Sequence, residues 1–165
     1  PIVVERTDAE GGGISSSRIR NLLVAGEMTA ANRLLGRPYR LKGVVVAGNR
    51  IGRTLGFPTA NMQLYEPLKL VPANGVYCVE AIFRGKSYAG LCNIGSRPTV
   101  GKGNAVTIET HILDFNEDIY GLDLEVKFLE RIRSEQRFPS LECLREQMVE
   151  DLEFARQYFT FVGGK

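Results

Sequence analysis

The chain has 165 residues, a formal net charge of +2 and a single histidine. That length suits one domain, or one domain with a fragment of another, and so small a net charge gives no argument for a nucleic-acid or membrane partner. Cys78, Cys92 and Cys143 are an odd number of thiols without metal-ligand spacing, so free cysteines in a reducing cytoplasm are expected, and His111 has no nearby ligands with which to build a zinc site. No apolar run approaches a membrane span and no cleavable signal opens the sequence, while Pro1 in place of Met hints at an excised fragment.

From Ser15 to Gly36 the pattern is helical. Ser15, Ser16 and Ser17 offer N-caps, Ile19, Leu22 and Leu23 make an apolar stripe, and Gly26 interrupts it. Met28, Ala31, Leu34 and Leu35 then form a second stripe that stops at Gly36, with Pro38 beyond. After Pro38 the pattern becomes strand-like, with candidate strands Leu41–Ala47, Gly75–Phe83, Ser87–Ile94, Val106–Phe115 and Leu122–Ile132. Short turns and no helices between them argue for antiparallel pairing, closed into a barrel or paired as a sandwich. From Ser140 the period returns to helical: Leu141, Leu144, Met148, Leu152, Ala155 and Phe159 share one face, and Arg145, Glu146, Glu150 and Glu153 face water.

Between the first two candidate strands lies Gly48 to Asn61, GNRIGRTLGFPTAN. Glycines at 48, 52 and 56 free backbone N–H groups to form an anion site, and Arg50 and Arg53 bring guanidinium forks that match phosphate oxygens. Pro58 then fixes the direction of exit, and Thr59 and Asn61, two apart in extended chain, project to one face. Two neutral oxygen donors there suit Mg2+, a cation that keeps waters and shares itself with substrate phosphates. The segment is neither a Walker A loop nor a dinucleotide fingerprint, because no Gly-Lys-Ser/Thr follows and no strand-to-helix turn carries the glycines.

Two further segments carry polar groups. Asn93-Ile94-Gly95-Ser96-Arg97-Pro98-Thr99 ends a strand with residues common both in ligand-contacting loops and in plain turns. In Ile108 to Phe115, Glu109 interrupts a β-prone run, so it either faces water or serves as a general base near a nucleotide. Asp114, Glu117 and Asp118 are rival carboxylates at a strand end and turn, and His111 reads as a structural strand residue.

Together these segments resemble the riboflavin kinase module, which stands alone in eukaryotes and forms the C-terminal half of the bacterial bifunctional FAD synthetase. The resemblance runs from about Leu35 to Phe159 and rests on Gly-Phe-Pro-Thr-Ala-Asn, Gly-Val-Tyr, Asn-Ile-Gly-x-Arg-Pro-Thr, Ile-Glu-Thr-His and Tyr120-Gly121, in that order. It implies a mostly β fold: a six-stranded antiparallel Greek-key barrel with a C-terminal helix, here preceded by short helices. It also implies ATP- and Mg2+-dependent phosphorylation of riboflavin to FMN, so the expected partners are small molecules, riboflavin and ATP, with no nucleic acid and no membrane. A cytoplasmic location is expected, and the sequence leaves the oligomeric state open, with a monomer favoured for this fragment. Within that resemblance the loop at Gly48 and Arg53 covers the ATP phosphates, and Thr59 and Asn61 contact Mg2+ and phosphate oxygens. Glu109 matches the catalytic carboxylate, and Arg133 falls in the segment that closes over the flavin. Arg53 stands where the eukaryotic pattern has a lysine, which keeps the charge but not the contact geometry.

Ile14-Ser15-Ser16-Ser17-Arg18-Ile19-Arg20 resembles the motif that closes the FMN adenylyltransferase domain of the bifunctional enzyme. The expected organisation is therefore residues 1–36 as the helical end of such a domain and residues 37–165 as the kinase domain. The full-length parent would also convert FMN to FAD, and no FAD synthesis is expected of this chain. The alternatives are a flavin- and nucleotide-binding fragment with impaired turnover and a small barrel that holds single-stranded nucleic acid.

Overall fold

The computed structural model describes residues 16–46, 58–98, 100–101, 103–115 and 117–163. Helix α1 covers Ser16–Ala25 and α2 covers Met28–Leu35. Gly36 ends α2 in the left-handed conformation, at φ 79°, and its N–H bonds the carbonyl of Asn32 at 2.9 Å, a closure that a Cβ would strain. The Asn32 side chain ties the helices to the sheet on both sides: it donates to the Phe128 carbonyl and accepts from the Tyr39 N–H, each at 2.8 Å.

Six strands follow: β1 Tyr39–Val46, β2 Ala60–Leu64, β3 Gly75–Phe83, β4 Lys86–Pro98, β5 Asn104–Ile112 and β6 Asp123–Arg133. They close into an antiparallel barrel in the order β1-β2-β5-β4-β3-β6. Strands β3, β4 and β5 form a meander and β6 returns beside β3, which is the Greek-key arrangement. Closure leaves no unpaired edge among the described strands to template aggregation.

The period of two decides what fills the barrel. Leu41 and Val45 of β1, Tyr77, Val79 and Ala81 of β3, Cys92 and Ile94 of β4, and Leu124, Val126 and Phe128 of β6 all belong to one buried cluster. Tyr77 and Phe128 meet edge to face at 5.2 Å between ring centres. Leu23, Met28 and Ala31 join the same cluster, so α1 and α2 close one part of the barrel core.

Helix α3, Leu141–Gly163, lies against the outside of the barrel. Ser140 Oγ caps its first turn by accepting from the Cys143 N–H at 3.1 Å. Ala155, Leu152 and Phe159 of α3 pack with Cys78, Leu113 and Leu91 into a second apolar layer. This second layer explains why β3 is buried on both faces, with Cys78 as covered as Tyr77.

The five expected strands are present with shifted ends, and a sixth is added to them. The added strand, β2, forms just after the Pro58 corner, where only an extended exit was expected. β4 runs on through Ser96 to Pro98, paired with β5 down to Asn104, where a loop was expected from Asn93. β5 stops at Ile112 because Asp114, at φ 56°, turns the chain.

Candidate active site

On the outer face of β4 and β5, under the start of α3, lies a cavity of about 290 Å³. Thr59, Asn93, Glu109 and His111 line it from just before β2 and from β4 and β5, Arg133 and Glu135 from the end of β6 and the segment after it, and Asp151 from α3. Phe138, Leu144, Met148, Val76 and Leu91 supply its apolar wall. A concave, mostly apolar space with a few convergent polar groups is the ordinary form of a small-molecule site.

Strand alternation puts Glu109 there. Ile108, Thr110 and Ile112 turn into the barrel, exposed by 4%, 1% and 4%, so Glu109 and His111 must face outward. The register places Asn61 of β2 and Asn93 of β4 directly beside Glu109, one on each side. Paired positions share a face, which makes a short polar row of amide, carboxylate and amide across three strands. Thr59, one residue before β2, brings its Oγ1 to 3.4 Å from Glu109 Oε1. Asn61 belongs to the row, although Thr59, Glu109 and Asn93 are the members that line the cavity.

Two register shifts aim β6 at the same place. Cys78 pairs with Glu130 and Val79 with Phe128, while Val76 pairs with Arg133 and Tyr77 with Arg131. Each shift inserts one residue into β6, and bulges of this kind re-aim side chains near sites. They set Arg133 opposite outward-facing Val76, where it lines the cavity. There Arg133 is already engaged: Nε and Nη2 form a fork onto the Asp151 carboxylate at 2.8 to 3.1 Å. Gln147 also donates to Asp151 at 3.0 Å. The guanidinium stands 5.8 Å from the Phe138 ring centre.

The far rim is closed by a smaller polar set. Asn74 Nδ2 donates to Ser96 Oγ at 3.1 Å and to Glu135 Oε1 at 3.0 Å. A Cβ on Gly95 would stand 2.7 Å from Glu135 Oε2, so the absence of a side chain there leaves room for the carboxylate. Beneath the row, burial pushes the Cys92 thiol up to about 12, with the Thr110 hydroxyl pulling weakly the other way. Burial likewise raises Cys78 to about 12, so both thiols are inert at neutral pH.

Of the residues singled out in the sequence, Thr59, Glu109 and Arg133 come together on this cavity and Asn61 stands beside Glu109. Gly48 and Arg53 lie outside the described residues. Sequence reasoning passed over Asp151, Glu135, Asn74 and the cavity position of His111. Asp151 had a readable signal: it falls at helical spacing between Met148 and Ala155, on the face turned to the barrel, and a charge there demands a partner. Asp114, Glu117 and Asp118 are not among the lining residues, and Asp114 is instead forked onto by Arg156 at 2.8 and 3.1 Å.

Hydroxyl, amide and carboxylate oxygens side by side are hard donors of the kind Mg2+ accepts. Among the described residues no group of three or more His, Cys, Asp or Glu is placed to hold a metal ion. The donor set fits a cation that shares itself with phosphates and waters.

A closed Greek-key barrel carrying an outward carboxylate, a corner threonine and a helix-covered cavity has the form of a barrel built around a polar site. Residues 35–159 match the riboflavin kinase (flavokinase) family model, and the chain belongs to that family. It is 42% identical over 160 residues to the bifunctional riboflavin kinase/FMN adenylyltransferase of Bacillus subtilis (strain 168), covering 96% of this chain and 50% of that protein. The protein of the same description from Pseudomonas fluorescens is 43% identical over 152 residues, 92% of this chain and 48% of its own length. The chain thus spans about half the length of the curated relatives it matches. A crystal structure described as a macrolide-efflux protein from Streptococcus pneumoniae superposes with a TM-score of 0.84 at 39% identity, over 94% of this chain and 50% of that one. No helix among the described residues is long and apolar enough to cross a membrane.

Proposed function

We propose that the chain transfers the γ-phosphoryl group of ATP, with Mg2+, to the ribityl 5′-hydroxyl of riboflavin, giving FMN. The observation that carries this reading is the contact of Thr59 Oγ1 with Glu109 Oε1, 3.4 Å apart on the cavity wall of a riboflavin kinase family member. Phosphoryl transfer requires alignment and charge neutralisation more than covalent chemistry, and this arrangement supports both.

In this reading Glu109 accepts the proton of the attacking hydroxyl, a role that needs only hydrogen-bond reach. Thr59 and Asn61 hold Mg2+ and phosphate oxygens, the metal supplying charge neutralisation on the transferring group when bound. Gly48 and Arg53 belong to the loop proposed to cover the ATP phosphates. Arg133 stands on the flavin side, where its fork to Asp151 holds the segment from Arg133 to Phe138 against the cavity. Residues 37–165 are proposed as the kinase domain and residues 1–36 as the end of an adenylyltransferase domain of the kind named in the relatives, whose complete form would also make FAD. The chain is proposed to act on small molecules as a cytoplasmic monomer, and the small net charge accords with the lack of a nucleic-acid or membrane partner.

The test is chromatographic detection of FMN from riboflavin, ATP and Mg2+. The purified chain is expected to form FMN, and its failure to do so while binding both substrates would overturn the reading. Glu109→Gln is expected to lower kcat by about 10²- to 10⁴-fold, the usual range for losing a general base, while riboflavin binding persists. Turnover within a few-fold of the unsubstituted protein would remove Glu109 from the role.

A further inference from the structure

The register of β2 with β5 pairs Ala60 with Thr110 and Asn61 with Glu109. Beyond Ala60 lie Thr59 and Pro58, outside the strand. Proline brings no N–H to a ladder, so regular pairing has little to hold there. The Pro58 carbonyl is held by a side chain: His111 Nδ1 stands 2.8 Å from it. A carbonyl oxygen only accepts, so Nδ1 carries the proton in this contact, which selects one tautomer of the neutral ring.

His111 is the single histidine of the chain. It lies two residues from Glu109 on the same outward face of β5 and lines the same cavity. Its hydrogen bond therefore spans from the strand that carries Glu109 to the residue before Thr59, whose hydroxyl meets Glu109 at 3.4 Å. We infer that His111 is a positioning residue: its Nδ1–H fixes the Pro58 carbonyl and so sets where the Thr59 hydroxyl stands relative to Glu109. The inference rests on the reading of Thr59 and Glu109 as site residues given above. Displacements of about 1 Å in such an alignment cost on the order of 10²-fold in rate, so one hydrogen bond at this corner has a measurable effect.

The two ring nitrogens can be separated by substitution. In His111→Asn the side-chain amide nitrogen can occupy the place of Nδ1, and in His111→Gln it reaches that of Nε2. If His111 acts through Nδ1–H, His111→Asn restores most of kcat, while His111→Gln and His111→Ala lose about 100-fold. The loss is expected in kcat and in the Mg2+ titration more than in the KM for riboflavin. Activity in Gln but not Asn would assign the work to Nε2 and overturn the inference, as would full activity in all three or equal loss in all three with unchanged urea midpoints. A second measurement does not depend on turnover or on folded variants. Because there is one imidazole, ¹⁵N labelling of histidine in the unsubstituted protein reports its tautomer directly, and Nδ1–H is expected in the neutral ring. The Nε2–H tautomer would overturn the inference even in an active enzyme. Absence of FMN formation by the unsubstituted protein would instead count against the functional reading, leaving the tautomer as the test of the His111 to Pro58 bond.

Discussion

Arg133 and Asp151 show what a single pair can hold in place. Their side chains are 18% and 5% exposed, so both charges are largely withdrawn from water and each depends on the other. Removing one partner of a buried pair leaves an uncompensated charge, at a cost of about 3 kcal/mol or more. Asp151→Asn is therefore expected to lower the urea-unfolding free energy by about 3 kcal/mol and to raise the KM for riboflavin more than it lowers kcat. Arg133→Lys is expected to recover only part of this, because an ammonium cannot reproduce the fork onto both carboxylate oxygens. Buried protonated groups set the alkaline limit. Burial raises Tyr39 and Tyr77 from 10.0, and Cys78 and Cys92 from 9.0, each to about 12. Each holds its proton more tightly folded than unfolded, so its contribution is complete below pH 9 to 10 and is lost as the pH climbs toward 12. Urea midpoints should be flat across neutral pH and fall between pH 9 and pH 12, and native Cys143, which is not fully buried, should react with thiol reagents before the other two cysteines.

At the level of the strand, two glycines separate tight packing from adjustable packing. A Cβ on Gly43 would collide with the Gln63 carbonyl of β2, which is backbone held in the ladder. A Cβ on Gly95 would meet the end of the Glu135 side chain, which can rotate away. Gly43→Ala is expected to cost about 3 kcal/mol in urea unfolding, the upper end for overpacking, and Gly95→Ala less than about 1 kcal/mol. The second substitution should act on the site, since a displaced Glu135 leaves Asn74 and reshapes the cavity rim, and riboflavin affinity would report it. The strands themselves were legible because alternation of residues such as Leu41, Gly43 and Val45 is set by the pleat alone. β2 was not, although Ala60, Met62 and Leu64 alternate with Asn61 and Gln63, since five residues directly after a proline corner are too short a run to tell a strand from an extended loop. Pro98 read as a turn signal but closes β4 opposite Asn104, the terminal position a sheet tolerates for proline. Glu109 stood out as a carboxylate in a β-prone run with two readings open, and only resemblance chose between them. Its placement beside Asn61 and Asn93 depends on pairing across distant segments, which strand propensity does not encode.

Across the whole molecule, the boundary drawn from resemblance and the boundary of the core fall in different places. The family match begins at residue 35. The apolar core begins earlier, with Leu23 and Met28 each 1% exposed and Ala31 fully buried among the barrel side chains. The connection is also polar, because the Leu23 carbonyl accepts from the Ala73 N–H at 3.0 Å and Asn32 bridges β1 and β6. Sequence periodicity showed that these helices are amphipathic but not what their apolar faces would meet, since that partner lies far along the chain. If the helices were a separate folding unit, Leu23→Ala would melt them alone, giving an early helical loss and an unchanged barrel transition. Shared burial requires a different outcome: one cooperative unfolding curve, identical by far-UV circular dichroism and by tyrosine fluorescence, shifted by about 3 kcal/mol. Against a total stability of roughly 5 to 15 kcal/mol for a domain of ordinary size, that shift is large enough to lower the melting temperature measurably. FMN formation assayed well below the melting temperature should stay near that of the unsubstituted chain, because Leu23 lies in the barrel core and not among the residues lining the cavity.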